Sequence, residues 1–597
     1  MPKADKNKTR WSSARPLVAN AAPRSNYSVD VARIKVDDGA YTLKRRGLYF
    51  DDGDTRRRIS AYVRPVAHTI SPDGDHMGLK IKFKTINGET KFATVPRSTL
   101  MSTPDLLRLL VDKGFPVPPN SKDAALIGKF INELPCVERI RQVASSGWCR
   151  VKTPNGSYAS YFILGKKVFG PKIDDYSVES TASIDGRFAI RGTVKEWRKN
   201  VGKLCRGNVR VMYAVCSALS APLLRLCDFE PDITHFAGND SSQGKTTALY
   251  VAASLFGNPR KNYRTWSMTA AGLEGECALY NDLPLIIDEL GQVPPEQLGQ
   301  MIYFVVSGKG KGRGTVDGSA RPRADFRNKA LSAGEVGAAD HMLKGGNSIK
   351  AGQEIRILSV PVVGQSGMFK DLHGQTSSEV FVDTLKKNAF RYHGAVGQKF
   401  IGFITKDRGQ VKRQLAKKLP KIGRDLGRWV NDMTLTNAEK RVLQRMRLTA
   451  LAGELATYLN LTGWRAGEAK DAVAKVLRIW LKTRREAPTI QRKEILDKIR
   501  LALTSAKFVP LSKVEGELPT DHAGYRHTLK GKNVYLIRPR YFKRVVCKGM
   551  KRAMCVQALR DAKLLITDRD RTDKQVRVPG LKKKPMFIVI RRSIKTA

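Results

Sequence analysis

The run HFAGNDSSQGKTTALYVAAS, residues 235–254, constrains this chain more than any other stretch. A short apolar segment feeds a glycine-bearing loop, the loop ends in Gly244-Lys245-Thr246-Thr247, and an alanine-rich helical pattern follows. Strand, loop and helix in that order aim backbone N–H groups at one spot, where an anion sits at the positive end of the helix. A lysine closing the loop neutralises the outer phosphates of a nucleoside triphosphate, and a threonine hydroxyl ligates its magnesium ion. Gly238, Asn239, Ser242 and Gly244, then Lys245, Thr246 and Thr247, are therefore the candidate nucleotide contacts, with ATP and Mg2+ the expected ligands. The spacing is irregular. The usual pattern has four residues between its two glycines, whereas five separate Gly238 from Gly244 here. Asn239 stands where the first glycine would be, and asparagine tolerates left-handed backbone, so the loop is expected to close.

A second phosphate-site element lies beyond Lys245. Leu283-Pro284-Leu285-Ile286-Ile287 reads as an apolar strand ending in Asp288-Glu289. An aspartate at such a strand end holds magnesium, and the adjacent glutamate polarises the water that attacks the γ-phosphate. Phosphoryl transfer also recruits an arginine to the charge developing on the γ-phosphate. Arg313, Arg321, Arg323, Arg327 and Arg356 all follow the acidic pair, and Arg356, beside the strand of GQEIRILSV, is the best placed. Ser332, closing the strand KALS, is a candidate γ-phosphate sensor.

The charge balance identifies a partner. Lys plus Arg number 107 against 55 acids, a net charge of +52, and a surface so one-sided repels itself unless a polyanion relieves it. Nucleic acid fits, because each phosphate contact releases counterions. The eight cysteines include no C-x-x-C pair, which argues against zinc ligation and a disulfide framework and for buried thiols in a reducing compartment. The N-terminus lacks an apolar signal region, and the most apolar stretch, 209–226, contains Arg210 and Arg225. These features predict a cytoplasmic chain, in a bacterial or phage-infected cell, without a membrane partner.

Periodicity divides the chain into five parts. Residues 1–28 are a basic, polar arm. Residues 29–194 alternate as an α+β N-terminal domain, with helix patterns at Pro104–Lys113 and Ala124–Leu134. Residues 195–365 begin with one long buried helix over 195–227 and continue as strands alternating with helices, the rhythm of an α/β core with a parallel sheet. Residues 366–486 read as nearly all helix, and 487–597 as a small α+β module.

Two basic tracts stand out. In SGKGKGRGTVDG, 307–318, glycine alternates with Lys309, Lys311 and Arg313, a pattern that lets backbone approach a phosphate chain while the cations neutralise it. In the C-terminal module the order helix, helix, basic hairpin resembles a winged helix. Its second helix, Lys551 to Leu565, suits recognition, and Arg577, Lys582, Lys583 and Lys584 form a wing able to contact phosphates.

Seven motifs appear in order: SSQGKTTALYVAASLFG, TAAGLEGECALYND, LPLIIDEL, SGKGKGR, LSAGE, AGQEIRILSVP, and LTALAGELA followed by Trp464. They resemble the family catalogued as domain of unknown function 927, carried on phages, satellites and cassette elements and including the cassette-chromosome Cch helicases. The resemblance covers about 45–480 and, more loosely, the C-terminal module. The family is regarded as related to the minichromosome maintenance (MCM) helicases of the AAA+ class. This implies an AAA+ P-loop ATPase core with a helical lid, assembled as a ring, a hexamer, around DNA with ATP sites between subunits. It implies further that Lys245 and Thr246 serve the phosphates, Asp288 and Glu289 the magnesium and water, and Lys309, Lys311 and Arg313 the DNA. Arg356 matches the arginine near the end of the core, and Arg445, eight residues before Gly453, matches an arginine that acts as a sensor on the lid. The chain departs from the pattern at the extra loop residue near Asn239 and at Ser307, where asparagine is expected. The resemblance does not account for +52.

The expected function is an ATP-driven, ring-forming replicative DNA helicase of a phage or mobile element. It would engage single-stranded and forked duplex DNA and other replication proteins of the same element. Two alternatives remain: a duplex DNA translocase used in packaging or transposition, and a DNA-binding replication initiator that uses ATP as an assembly switch.

Overall fold

The computed structural model describes residues 32–118, 120–173, 176–181, 186–240, 243–312, 323–344, 355–362, 367–514, 522–529, 531–550, 552–567 and 572–595. The chain forms two compact units, one up to Arg478 and one from Ile479.

The first unit opens with four antiparallel strands in chain order, Ala32–Val36, Gly39–Lys44, Gly47–Asp51 and Arg56–Ser60. A five-stranded mixed sheet follows, ordered Ser177–Ser180, Arg139–Val143, Val63–Ile70, Met77–Lys84, Thr90–Pro96. Val63–Ile70 alternates strictly between buried and half-buried residues, the period of a strand with one face on a core. That core joins Ile81 and Phe83 to Leu106, Leu110, Ile127 and Phe130 of two helices. The helices run Thr103–Val111 and Ser121–Glu133, started by the side chains of Ser102 and Asn120, close to where periodicity predicts them.

The centre of the unit is a five-stranded, wholly parallel sheet. Its strands are β1 (Asp232–Ala237), β2 (Tyr263–Thr265), β3 (Pro284–Asp288), β4 (Lys329–Gly334) and β5 (Ile357–Pro361), in the order β2-β3-β4-β1-β5. All five residues of β3 are buried, the continuous apolar run of a strand covered on both faces. Helix α1 (Lys245–Ser254) follows β1, and helix α2 (Pro295–Ser307) precedes β4. The helical stretch read over 366–486 is observed as Ser378–Arg391, Ala395–Lys406, Arg408–Arg428, Asn437–Tyr458 and Glu468–Thr504, the last extending beyond it.

The single helix expected over 195–227 is broken. Short helical turns at Val194–Trp197, Arg198–Gly202 and Lys203–Cys205 give way to a helix at Val209–Ser220. Gly207 adopts φ 84°, open to glycine at no steric cost, and a Cβ there would stand 2.9 Å from the Asp371 carboxylate. The Asn208 carboxamide fills the break: it donates to Leu204 O (3.1 Å) and Asp371 O (2.9 Å) and accepts from the N–H groups of Lys370 and Asp371. Apolar residues on both sides of the break hide it from a periodicity reading.

The second unit is α+β with a larger sheet than helix, helix, hairpin implies. Phe508–Pro510, Gly524–Leu529, Lys532–Ile537, Met586–Arg591 and Leu565–Ile566 pair in that order, and Lys574–Gln575 adds to Met586–Arg591. The helix expected over Lys551–Leu565 spans Arg552–Asp561, and Lys551 lies outside the described residues. Cys555, Val556 and Leu559 seat it on Ile588 and Ile590.

One buried carboxylate ties the strand Gly147–Lys152 to the parallel sheet. Asp282, fully buried just before β3, accepts the Trp148 N–H at 3.0 Å and pairs with Arg225 at 3.2 Å. Arg225 reaches on to Asp325 at 3.2 Å, and the Trp148 indole donates to Pro222 O at 2.8 Å. Burial pushes the Asp282 carboxyl up to about 6, against the pull of Arg225. Asp282→Ala would leave the Trp148 N–H and the Arg225 charge without their acceptor and should cost about 3 kcal/mol, read as a lower urea midpoint. Asp282→Asn should cost less, and an unchanged midpoint for the alanine variant would refute this role.

Candidate functional site

The glycine loop leaves β1 at Gly238 and enters α1 through Gly244, which caps the helix at φ 76°. The Phe369 ring lies where a Gly244 Cβ would project, 2.2 Å away, so no larger residue fits. Asn239 is exposed and does not take the left-handed backbone expected of it; Gly244 supplies that conformation instead. Two loop carbonyls point onto the lysine: Lys245 Nζ donates to Gly238 O at 2.7 Å and Asp240 O at 2.5 Å. Burial pulls the Lys245 ammonium below the ordinary lysine range, opposed by the carboxylates of Asp240, Asp288 and Glu335. Thr247 is buried in the first turn of α1, and Ser242 lies outside the described residues.

β3 delivers the acidic pair to the same sheet edge. Thr246 Oγ1 donates to Asp288 Oδ2 at 2.7 Å, although β4 lies between the two parent strands. The Tyr263 hydroxyl donates to the same oxygen at 3.1 Å, and Asp288 Oδ1 accepts the Glu289 N–H at 2.8 Å. Burial and the Asp288 charge raise Tyr263 far above the ordinary phenol range, so it stays a donor. Glu289 is a non-glycine residue at φ 60°, ψ 53°; this left-handed turn ends the strand and leaves the side chain exposed beside the loop. Its carboxylate accepts from the Gln292 amide. A hydroxyl and a carboxylate oxygen in contact fit Mg2+, which favours one or two carboxylates completed by substrate phosphates and water. Among the described residues no group of three or more His, Cys, Asp or Glu could hold a metal alone.

Other expected residues are not brought to this edge. Ser332 is fully buried, its oxygen taking the Trp266 indole N–H at 2.8 Å and lying 3.1 Å from His235 Nδ1. β4 runs on to Gly334, so Ser332 lies inside the strand, level with Ile287 of β3, and its hydroxyl is engaged in a buried network. Burial pulls His235 down to about 4, so the ring is neutral. Arg356 precedes β5 with its guanidinium 5.7 Å from the Tyr303 ring centre, and Arg445 donates to Ile355 O at 2.6 Å and Glu230 at 3.1 Å. Both sit where the parallel strands begin, a strand's length of about 17–20 Å from the loop edge. There they line an open cavity of about 730 Å³ with Arg441, Arg447 and Glu230.

The basic tract begins as α2 ends. Gly308 and Gly310 are buried while Lys309 and Lys311 are exposed. The tract pairs back on the chain through Gly310 N–H to Ala324 O (2.8 Å) and Phe326 N–H to Gly308 O (2.9 Å). Arg313 and Arg321 lie outside the described residues, and Arg327 is paired with Asp228 at 3.2 Å. In the second unit Arg577, Lys582, Lys583 and Lys584 are all exposed between Lys574–Gln575 and Met586–Arg591, while Val576 and Val578 anchor the segment inward.

Tyr263, Gln292 and Glu335 join the site without having been read from the sequence. Tyr263 is the start of a three-residue strand with no periodic signature, an isolated Gln carries no motif, and Glu335 closes the LSAGE motif, from which only Ser332 was singled out.

Comparison with known proteins agrees with this picture. A solved structure described as "SCCmec type IV Cch - active helicase" aligns over 94% of this chain and 100% of that chain, with 17% identity and a TM-score of 0.60. At that identity the likeness establishes a shared, helicase-like fold. NtrX from Brucella abortus in complex with ATP aligns over 59% of this chain and 92% of that chain at 12% identity, with a TM-score of only 0.19. No curated protein sequence matches the chain. No helix among the described residues is long and apolar enough to cross a membrane. The family model described as domain of unknown function (DUF927) matches residues 41–325, a narrower span than the seven motifs cover, and over that span the chain is similar to that family.

Proposed function

We propose that the chain is an ATP-dependent DNA helicase of the AAA+ class that replicates a phage or mobile element and works as a ring, a hexamer. The observation that carries the ATPase reading is the 2.7 Å contact between Thr246 and Asp288 with Glu289 beside it, all at the edge where the glycine loop opens. Loop N–H groups and Lys245 hold the phosphates, and Thr246 and Asp288 hold Mg2+, which neutralises charge on the phosphate oxygens. Glu289 takes the proton of the attacking water. The likeness to a structure described as an active helicase supports this reading.

Arg356 and Arg445 lie across the sheet from their own chain's loop, which supports a ring in which they meet the nucleotide of an adjacent copy. The exposed Lys309 and Lys311, with Arg313, and the cations at 577 and 582–584 are the proposed DNA contacts. The five domain boundaries read from periodicity, including a winged-helix-like C-terminal module, belong to the same proposal, as does a cytoplasmic location.

Strand displacement on a forked duplex tests the whole reading. Lys245→Ala should abolish hydrolysis and displacement together, and Glu289→Gln should lower hydrolysis by about 10²–10⁴-fold. DNA-stimulated hydrolysis without displacement by the wild type would favour a duplex translocase. Nucleotide-dependent oligomers without hydrolysis would favour an initiator switch.

Lys311→Ala should reduce unwinding much more than hydrolysis; equal losses would assign that lysine to the ATP site. Mixing separately inactive Lys245→Ala and Arg356→Ala proteins should restore hydrolysis, because some interfaces then pair an intact loop with an intact arginine. A mixture as inactive as its components would mean that Arg356 does not act between copies.

A further inference from the structure

Helix Arg408–Arg428 carries eight Lys or Arg and one acid, Asp425. Its apolar row, Val411, Leu415, Leu419 and Leu426, is buried in the protein. At about 100° per residue, Arg413, Lys417, Lys421, Arg424 and Arg428 fall within an arc of about 80° on the opposite side. All five are exposed. They follow one another for about 22 Å along the helix axis.

Asp425 does little to neutralise this row, since its carboxylate is shared between Lys470 at 2.9 Å and Arg428 at 3.3 Å. Arg413, Lys417, Lys421 and Arg424 make no ion pair among the described residues. On the flank, burial and the Lys421 ammonium pull Lys418 below the ordinary lysine range, as expected where cations crowd together. An ordinary solvated helix face mixes signs and gains from pairs four residues apart; this one has cations at that spacing and is destabilised by it.

We propose that this face is a binding site for the phosphate backbone of duplex DNA, additional to the basic glycine tract that begins at 307 and the cations at 577–584. It rests on the reading of the chain as a DNA motor. A membrane surface is disfavoured because the apolar row that would enter lipid is buried. Single strands are usually held by cations interleaved with aromatic rings that stack the bases. The remaining helix residue on this arc is Gln410, which is not aromatic, and this suits contact with backbone alone.

The test is nucleotide-free binding of the full-length chain to a labelled blunt duplex and to a single strand, titrated between about 50 and 200 mM salt. For Lys417→Ala/Lys421→Ala/Arg424→Ala, the slope of log K against log salt on duplex should become shallower by about 2–3, near 0.9 for each phosphate no longer neutralised. Circular dichroism should show helix content kept, since alanine favours helix. Lys417→Arg/Lys421→Arg preserves the charge and should preserve the slope. A wild-type slope for the alanine variant overturns the site while leaving the motor reading intact. A change confined to single strands overturns the assignment to duplex. Failure of the wild type to bind either DNA would defeat the motor reading itself.

Discussion

The bond from the Thr246 hydroxyl to Asp288 joins two strands that are not neighbours. β1 carries the glycine loop, β3 carries the acidic pair, and β4 lies between them. The contact is possible because all five strands run the same way, so loop and acids leave the sheet at one edge. Much of the surroundings serves that edge. Phe369 closes on Gly244, Tyr263 holds the same carboxylate oxygen as Thr246, and the buried His235–Ser332–Trp266 network fixes the strands beneath.

The sheet also separates functions by direction. Groups suited to phosphate and water chemistry gather where the strands end, and Arg356 and Arg445 gather where they begin. In the proposed ring, a subunit built this way would carry half of two different sites. Part of the basic surplus is likewise grouped: the glycine tract, the 577–584 segment and the outer face of Arg408–Arg428 each display cations in the open.

Elements with a strong local signature were legible in the sequence. The glycine loop, the apolar strand ending in Asp288-Glu289 and the helices beyond 376 carry their own periodicity or spacing, and they lie close to where the sequence places them. What depends on distant partners was not legible. The fate of Ser332 is decided by Trp266 and His235, far away in the chain, so a serine near a strand end resembles a sensor when only its neighbours are considered. The 195–227 helix breaks because Gly207 and Asn208 receive a segment from beyond β5, which no local pattern announces. Tyr263 and the hairpin Gly524–Ile537 escape a sequence reading for the same kind of reason, one by shortness and one because its pairing completes a sheet with a strand some fifty residues on.

Glu289 holds a backbone conformation that costs an ordinary side chain about 1 kcal/mol. Asparagine would relieve that strain, yet it lacks the carboxylate that the proposed chemistry requires. Durability and turnover therefore pull against each other at a single residue. A selection for heat tolerance alone would be drawn to this turn, and the better-folded chains it returned would be the ones that had given up their work.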